Sequence, residues 1–315
     1  MPHNMPERPP QRPLRGIALK VASVLVFIVM SSLIKATADR VPAGEAVFFR
    51  SFFAIPVIMV WLALRGELRT GLGTSNPLGH VWRGLMGTCA MGLGFAGLAF
   101  LPLPEVTAIG YAAPLLTVVF AAMFLGETVR AFRISAVALG LAGVLIVLWP
   151  RLTIVGGASH AQALGAMLVL GGAVFASLAQ VFVRKLVDSE KTAAIVFWFS
   201  MTASLLSLIT LPFGWVWPTP AEAALLITAG LLGGVGQILL TSSYREADAS
   251  LIAPFDYASM LFALLIGYFV FAEVPTWTTL AGAGLVIVAW ILIIWREHRL
   301  GLERARQRKA MTPQG

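Results

Sequence analysis

The sequence predicts an all-α membrane protein of ten transmembrane helices, arranged as two inverted five-helix repeats. Three observations carry that reading. Of the 315 residues, 58% are hydrophobic and only 12% are charged, about half the usual ~25% of soluble domains. Apolar surface on that scale cannot be hidden in one water-soluble core of this size, so lipid solvates most of the chain. Apolar runs of roughly 20 residues, the length that crosses a bilayer as a helix, follow one another along nearly the whole sequence. Finally, the chain resembles itself at an offset of 146 residues, and five spans per copy make the second copy run opposite to the first.

Charge clusters, prolines and glycines set the limits of the spans. The first, 15–38, stops at Asp39-Arg40. It is too long for a signal-peptide core and lacks a clear small-residue cleavage site, so it reads as a retained helix. The second, 43–65, starts after Pro42 and ends at Arg65-Gly66; the third, 79–100, lies between Pro77 and Pro102. The fourth, 105–126, runs to Gly126-Glu127, and the fifth, 132–149, to Pro150-Arg151. The sixth, 162–184, ends at Arg184-Lys185, and the seventh, 192–212, begins after Lys191. The eighth, 221–244, lies between Pro220 and Arg245, the ninth covers 250–271, and the tenth, 276–295, runs from Pro275 to Arg296. Backbone polar groups cannot stay unpaired in hydrocarbon, so such segments are helices or a closed barrel. These runs are too long and too uniformly apolar for alternating barrel strands. Residues 1–14, with Pro2, Pro6, Pro9, Pro10 and Pro13, read as a disordered cytoplasmic tail. Residues 15–150 form the first repeat, 160–296 the second, and 297–315 a basic cytoplasmic tail.

The net charge of +8 would suggest nucleic acid in a soluble protein, but here its distribution follows membrane topology. With a cytoplasmic N-terminus, 19 of the 23 Lys and Arg residues fall on the inner side; Arg40 and Arg151 fall outside, and Lys35 and Arg50 within spans. That split is a strong positive-inside signal and places both termini in the cytoplasm. One cysteine, Cys89, excludes an intrachain disulfide and a cysteine-based metal cluster. The histidines His3, His80, His160 and His298 show no ligand spacing. No cofactor is implied; the expected partners are the lipid bilayer and a small-molecule substrate, with no nucleic acid.

At the 146-residue offset Phe124-Leu125-Gly126-Glu127 falls on Val270-Phe271-Ala272-Glu273, Ala136 and Gly143 on Gly282 and Ala289, and Gly87 and Ala90 on Gly233 and Gly236. Several stretches carry a family resemblance: Arg83-Gly84-Leu85; Leu101 to Ile109; Ala113-Pro114-Leu115; Phe124 to Arg130; and Gly140 to Val144. In the second half the matching stretches are Ala253-Pro254-Phe255, Tyr257 and Phe271 to Pro275. Together, over about residues 15–295, they resemble the EamA domain of the drug/metabolite transporter superfamily. Val47-Phe48-Phe49-Arg50 is similar to that family's arginine-containing second helix. Ala272 replaces the motif's glycine, and Met260 stands where the offset puts Pro114. The resemblance implies a secondary transporter of the bacterial inner membrane, exporting small metabolites. Within the family it leans towards amino-acid exporters, aromatic ones included.

Ionisable residues inside spans are functional candidates by default. Lys20 and Asp256 sit near the cytoplasmic face and are placed to pair, as a brace or an inner gate. Lys35 and Arg50 lie at similar depth on the outer side, to snorkel, to brace Asp39, Glu45 or Glu105, or to attract a substrate carboxylate. Glu127 and Glu273 end the fourth and ninth helices, where helix carbonyls disfavour a carboxylate, so each needs donors from a loop or cap. Polar groups at mid-span are candidate cavity lining: Ser23, Ser31, Thr88, Tyr111, Gln180, Gln237, Tyr244, Tyr257 and Ser259, with Trp198 and Phe197 flanking. Each of them also suits plain helix–helix bonding. Pro114 breaks the fourth helix and Pro56 the second, each a kink or hinge; Pro254 sits near the start of the ninth. Gly92-Leu93-Gly94-Phe95-Ala96-Gly97 matches G-x-G-x-x-G, but inside an apolar helix it reads as packing. Trp149, Trp215, Trp217, Trp277 and Trp295 read as interfacial anchors.

An intramembrane enzyme is the rival class, but the sequence has no H-E-x-x-H, no close aspartate pair within a span and no nucleotide loop. A channel is the other; continuous polar pore lining is missing. No carboxylate stands clearly at mid-membrane, so no simple proton relay is visible.

Overall fold

The computed structural model describes residues 13–68, 70–125, 131–152, 160–187, 189–246, 253–289, 291, 292 and 295. Among the described residues all regular structure is helical, with no strand. The helices are α1 (Pro13–Lys35), α2 (Ala43–Phe52), α3 (Ala54–Leu64), α4 (Pro77–Leu98), α5 (Leu103–Gly110) and α6 (Ala112–Leu125). They continue as α7 (Ala131–Leu152), α8 (His160–Val187), α9 (Thr192–Leu208), α10 (Pro220–Glu246), α11 (Ala258–Phe271) and α12 (Trp277–Ala289). Among the described residues six segments are long and apolar enough to cross a membrane: Leu14–Lys35, Ala43–Leu64, Leu103–Phe120, Ile134–Arg151, His160–Val183 and Pro220–Ser243. Thr192–Leu208, Phe255–Phe271 and Trp277–Ala289 are shorter apolar helices. Many large apolar side chains point outward, among them Leu25, Val60, Met123, Leu145, Leu205 and Phe269. Helices that are apolar all round require lipid on their outer faces.

Two expected spans are broken. The helix expected over 43–65 is interrupted at Phe53, and that over 105–126 at Tyr111. Each break lies three residues before a proline, Pro56 and Pro114. A proline ring has no N–H for the carbonyl four residues back and clashes with it, so the helix yields just upstream, at Phe52–Phe53 and Gly110–Tyr111. The kink therefore falls at Tyr111 rather than at Pro114 itself. The ninth segment also differs: it opens as a 3₁₀ turn, Ala253–Tyr257, before α11 begins.

The buried side chains form three clusters, and each draws on both halves of the chain. Ile109, Leu115, Val137 and Val144 pack with Ala166, Val169, Met260 and Val286. Ile28, Ile34, Val47 and Phe95 pack with Leu226, Ala229 and Ala263. Ala54, Ile58 and Leu62 of α3 meet Ala193 and Val196 of α9. In helix terms α1 lies along α10, α4 along α8, and α2 against α9.

Small residues set the closest approaches. A Cβ on Gly143 of α7 would stand 2.7 Å from the carbonyl oxygen of Gly282 on α12, and one on Gly282 would reach the Gly143 carbonyl oxygen at 2.5 Å. Gly97 is equally tight, against Val169, but Gly92 and Gly94 have nothing within 4 Å. Of the G-x-G-x-x-G run, only Gly97 packs as expected. Ala272, which ends α11, adopts a left-handed conformation with φ 54°. A Cβ is strained in this left-handed conformation, where glycine fits without cost.

Candidate functional site

At the end of the bundle where α1 finishes, three ion pairs tie helix termini together. Lys35 Nζ lies 3.0 Å from Glu273 Oε1 and donates to the carbonyl oxygens of Leu98 (3.2 Å) and Leu101 (2.8 Å). Glu273 Oε2 accepts the Leu103 N–H at 2.8 Å, at the first residue of α5. The carboxylate that its own helix C-terminus disfavours is thus held by a cation and a helix N-terminus. Of the readings open for Lys35, the structure favours a brace, with Glu273 as the carboxylate rather than Asp39, Glu45 or Glu105. Glu105 pairs with Arg151, whose Nε donates to Glu105 Oε2 at 2.9 Å and whose Nη1 donates to Gln162 Oε1 at 2.9 Å. Arg40 pairs with Glu222 at 3.0 Å, and buried Glu45 accepts the Val216 N–H at 3.0 Å. Beside these pairs a cleft of about 220 Å³ is lined by apolar groups including Ile34, Val41, Pro42, Ala46, Phe95 and Phe100. No site residue expected from the sequence lines it.

At the opposite, basic end Lys20 Nζ meets Asp256 Oδ1 at 2.7 Å; the lysine is 2% exposed and the aspartate 42%. Arg15 approaches Glu246 at 3.4 Å. Glu190, in the turn between α8 and α9, accepts from Thr74 Oγ1, Ser75 N, Ser75 Oγ and Asn76 N at 2.8–3.0 Å, all through Oε1. It clamps the loop that leads into α4. Burial pushes the Glu190 carboxyl up, but the bonds from Ser75, Thr74 and Asn76 outweigh it and hold it at about 2. Its Oε2 faces His80 Nε2 at 3.6 Å.

Between the two ends, the Tyr111 hydroxyl shares a 2.8 Å hydrogen bond with Ser259 Oγ. The Tyr111 and Tyr257 rings meet edge-on, centroids 5.2 Å apart. Ser259 Oγ donates to the Asp256 carbonyl oxygen at 2.6 Å, so the tyrosine pair adjoins the Lys20–Asp256 bridge. The helix break at Tyr111 and the 3₁₀ turn at 253–257 face each other here, a place where irregular backbone is satisfied by neighbouring groups.

The other expected lining residues do not join this cluster. Ser23 Oγ donates to the Lys20 carbonyl oxygen of its own helix at 2.7 Å, and Thr88 Oγ1 likewise to Gly84 O at 2.7 Å. Gln180 is exposed on α8. Trp198 Nε1 donates to Leu72 O at 3.0 Å and so braces the loop before α4. Gln237 is half-buried on α10, one helical turn from Gly233 and on the same face. Trp149, Trp217, Trp277 and Trp295 are exposed, whereas Trp215 is pinned by a 2.9 Å bond from its Nε1 to Thr210 Oγ1. Glu127 lies outside the described residues, as do the side chains of Tyr244 and Pro254.

Arg50 meets no carboxylate among the described residues. It is 2% exposed and lies over the Phe199 ring, its guanidinium carbon 5.4 Å from the centroid. Arg83 stacks on the same ring at 3.9 Å. Sequence reasoning counted Arg83 with the inner topology charges; its position seven residues into α4 was the signal that it lies inside the bundle.

Comparison with known proteins bears on what this arrangement does. Residues 14–149 and 163–295 both match the EamA-like transporter family. The chain is 32% identical over 280 residues to the pseudopaline exporter CntI of Pseudomonas aeruginosa, covering 88% of this chain and 95% of that protein. It is 29% identical over 294 residues to an S-adenosylmethionine uptake transporter of Rickettsia bellii, covering 90% and 97%. It is 29% identical over 287 residues to a riboflavin transporter of Rhizobium johnstonii, covering 91% and 90%. One protein crystal structure superposes with a TM-score of 0.65 at 21% identity, over 90% of this chain and 98% of its own, which shows a shared fold.

Proposed function

The chain belongs to the EamA-like transporter family, and from that premise we propose that it is a secondary transporter working by alternating access. Its relatives are transporters rather than enzymes, and they handle small metabolites. The cargo we propose is a small organic metabolite, an amino acid with aromatic ones included, moved outward across the bacterial inner membrane. The observation that carries the mechanism is the pair of closures. Lys35–Glu273, Arg151–Glu105 and Arg40–Glu222 close one end, and Lys20–Asp256 with the Glu190 clamp closes the other. Ion pairs between helices at both ends, with the polar Tyr111–Tyr257–Ser259 group between them, are what a carrier that opens one side at a time requires. In this reading Lys20, Asp256, Lys35 and Glu273 gate, Pro114 supplies the hinge at Tyr111, and Tyr111, Tyr257 and Gln237 line the path.

We read the ten spans as two inverted five-helix halves. The packing supports this: exchanging the halves turns the α1–α10 contact into the α8–α4 contact, and returns α2–α9 and α7–α12 onto themselves. The 19 basic residues on one side support cytoplasmic termini. Reporter fusions at residues 160 and 310 are expected to report outside and inside respectively. The same side for both sinks the ten-span inverted arrangement.

The functional test is counterflow. Purified protein in liposomes preloaded with unlabelled tyrosine is expected to accumulate external labelled tyrosine, saturably and faster than into unloaded liposomes. Flux that never saturates identifies a channel instead. Its absence across a panel of amino acids, with flux for another metabolite class, overturns the amino-acid assignment alone.

A further inference from the structure

Arg50 of α2 and Arg83 of α4 converge on the ring of Phe199 of α9, inside the bundle. Both lie several residues into their helices, roughly 10 Å from the helix end at 1.5 Å per residue. Nε and Nη1 of both arginines are buried and have no hydrogen-bond partner among the described residues. No described carboxylate lies within the 4.0 Å of an ion pair from either guanidinium. The contrast with the rest of the molecule is sharp, since Lys20, Lys35 and Arg151 each meet a carboxylate.

A buried cation ordinarily carries a partner, because desolvation disfavours the bare charge. Here Arg50 is buried and Arg83 half-buried, and neither meets a carboxylate among the described residues. The face of Phe199 attracts each guanidinium through its ring quadrupole, but it accepts no N–H from their edges. The hydroxyls of Ser51 and Ser200, next in sequence to Arg50 and Phe199, are also buried with no partner among the described residues. Glycine makes the arrangement possible: a Cβ on Gly233 of α10 would come 3.1 Å from Arg50 Nε, and one on Gly87 would press on Arg83 and come 2.6 Å from Phe199.

The structure assigns Arg50 and Arg83 as an oxyanion site of the transport path, whose donors take a carboxylate or phosphate group of the cargo. A planar guanidinium presents forked N–H groups that match two oxygens of either group, and the bound anion supplies a counter-charge that no described residue provides. This rests on the transporter reading and adds the chemical class of the cargo, a molecule with at least one oxyanion. The site joins α2 and α4 of the first half to α9 of the second. Binding therefore draws together helices that alternate access must move.

The test titrates purified full-length protein in neutral detergent with sodium citrate, sodium glutamate and sodium phosphate. Ionic strength is held constant with sodium chloride, and the thermal midpoint is followed. A saturable rise at millimolar or lower concentration is expected with a carboxylate, with phosphate, or with both; which salts act identifies the group. Arg50→Gln and Arg83→Gln are each expected to raise the half-saturating concentration at least about tenfold, the scale of one lost charge-assisted bond. Arg83→Lys, which keeps the charge and loses the fork, is expected to weaken anion binding in the same direction. Because no described residue gives the arginines a counter-charge, the anion-free midpoint is expected to stay or rise in the Gln variants. A fall in that midpoint marks structural bracing and overturns the assignment. So does an unchanged half-saturation, or no saturable response in the wild type. Counterflow without any anion response sinks the site and spares the transporter reading; an anion response without flux does the reverse.

Discussion

Gly143→Leu is expected to remove most of the folded protein. In α7 the residue faces the backbone of α12, and its Cβ alone would stand 2.7 Å from the Gly282 carbonyl oxygen and 2.9 Å from Val286 Cγ2. A carbonyl in a helix cannot rotate away, so the two helices must separate. The contact is reciprocal, since Gly282 meets the Gly143 carbonyl in the same way. Without a hydrophobic drive between helices in lipid, close backbone approach is the main source of helix association. Overpacking of well-filled sites costs about 1–3 kcal/mol, and a leucine between two backbones belongs at or above that range. That is a large part of a total stability of roughly 5–15 kcal/mol. Gly143→Ala is expected to fall between the two. Gly92→Ala is the control, because nothing lies within 4 Å of its Cβ; it is expected to be neutral or slightly stabilising. Folded yield and thermal midpoint in detergent measure all three. Well-folded Gly143→Leu with an unchanged midpoint contradicts the packing role.

Glu273→Ala is expected to lower stability by about 3–5 kcal/mol, the cost of leaving one partner of a buried pair alone. The substitution strands the Lys35 ammonium, which is 13% exposed, and leaves the Leu103 N–H without its acceptor. Lys35→Met strands the carboxylate instead, at a helix C-terminus that repels it. The double variant Lys35→Met with Glu273→Met is expected to lose less than the sum of the single losses, because it leaves no charge unpaired. If the pair also gates, the single variants open the end where α1 finishes more readily, and a cysteine probe near Leu101 reacts faster with an impermeant thiol reagent. Additive single losses, or losses below about 1 kcal/mol, show that the pair is a solvated contact with no hold on the bundle.

The Lys35–Glu273 pair also shows how far sequence reasoning reached. That a carboxylate at the end of a span needs donors follows from helix electrostatics, and the donors exist. Which lysine provides them does not follow, because several carboxylates (Asp39, Glu45, Glu105 and Glu273) lie near the same end and only packing selects among them. The Lys20–Asp256 pair was reachable, since both residues were recognised as lying at one depth near one face. The breaks at Phe53 and Tyr111 were half-legible: the prolines announce a break, but the carbonyl four residues upstream decides where it falls. For Trp198 and Thr88 the polar type suggested lining, and bonds to Leu72 O and Gly84 O absorb both groups.

Composition, run length and charge asymmetry by themselves determined that this chain is a helical membrane protein, and its motifs that it is a relative of metabolite transporters. Those properties are sums over many residues, and solvation by lipid responds to such sums. Only the tertiary structure decided that Arg50 and Arg83 both pack on the ring of Phe199, with no carboxylate beside them among the described residues. An arginine near the end of a span has the same sequence signature whether it snorkels to water or turns into the bundle. The choice depends on what the neighbouring helices present to it. Here the ring of Phe199 and the small residues Gly87 and Gly233 admit both side chains to the interior.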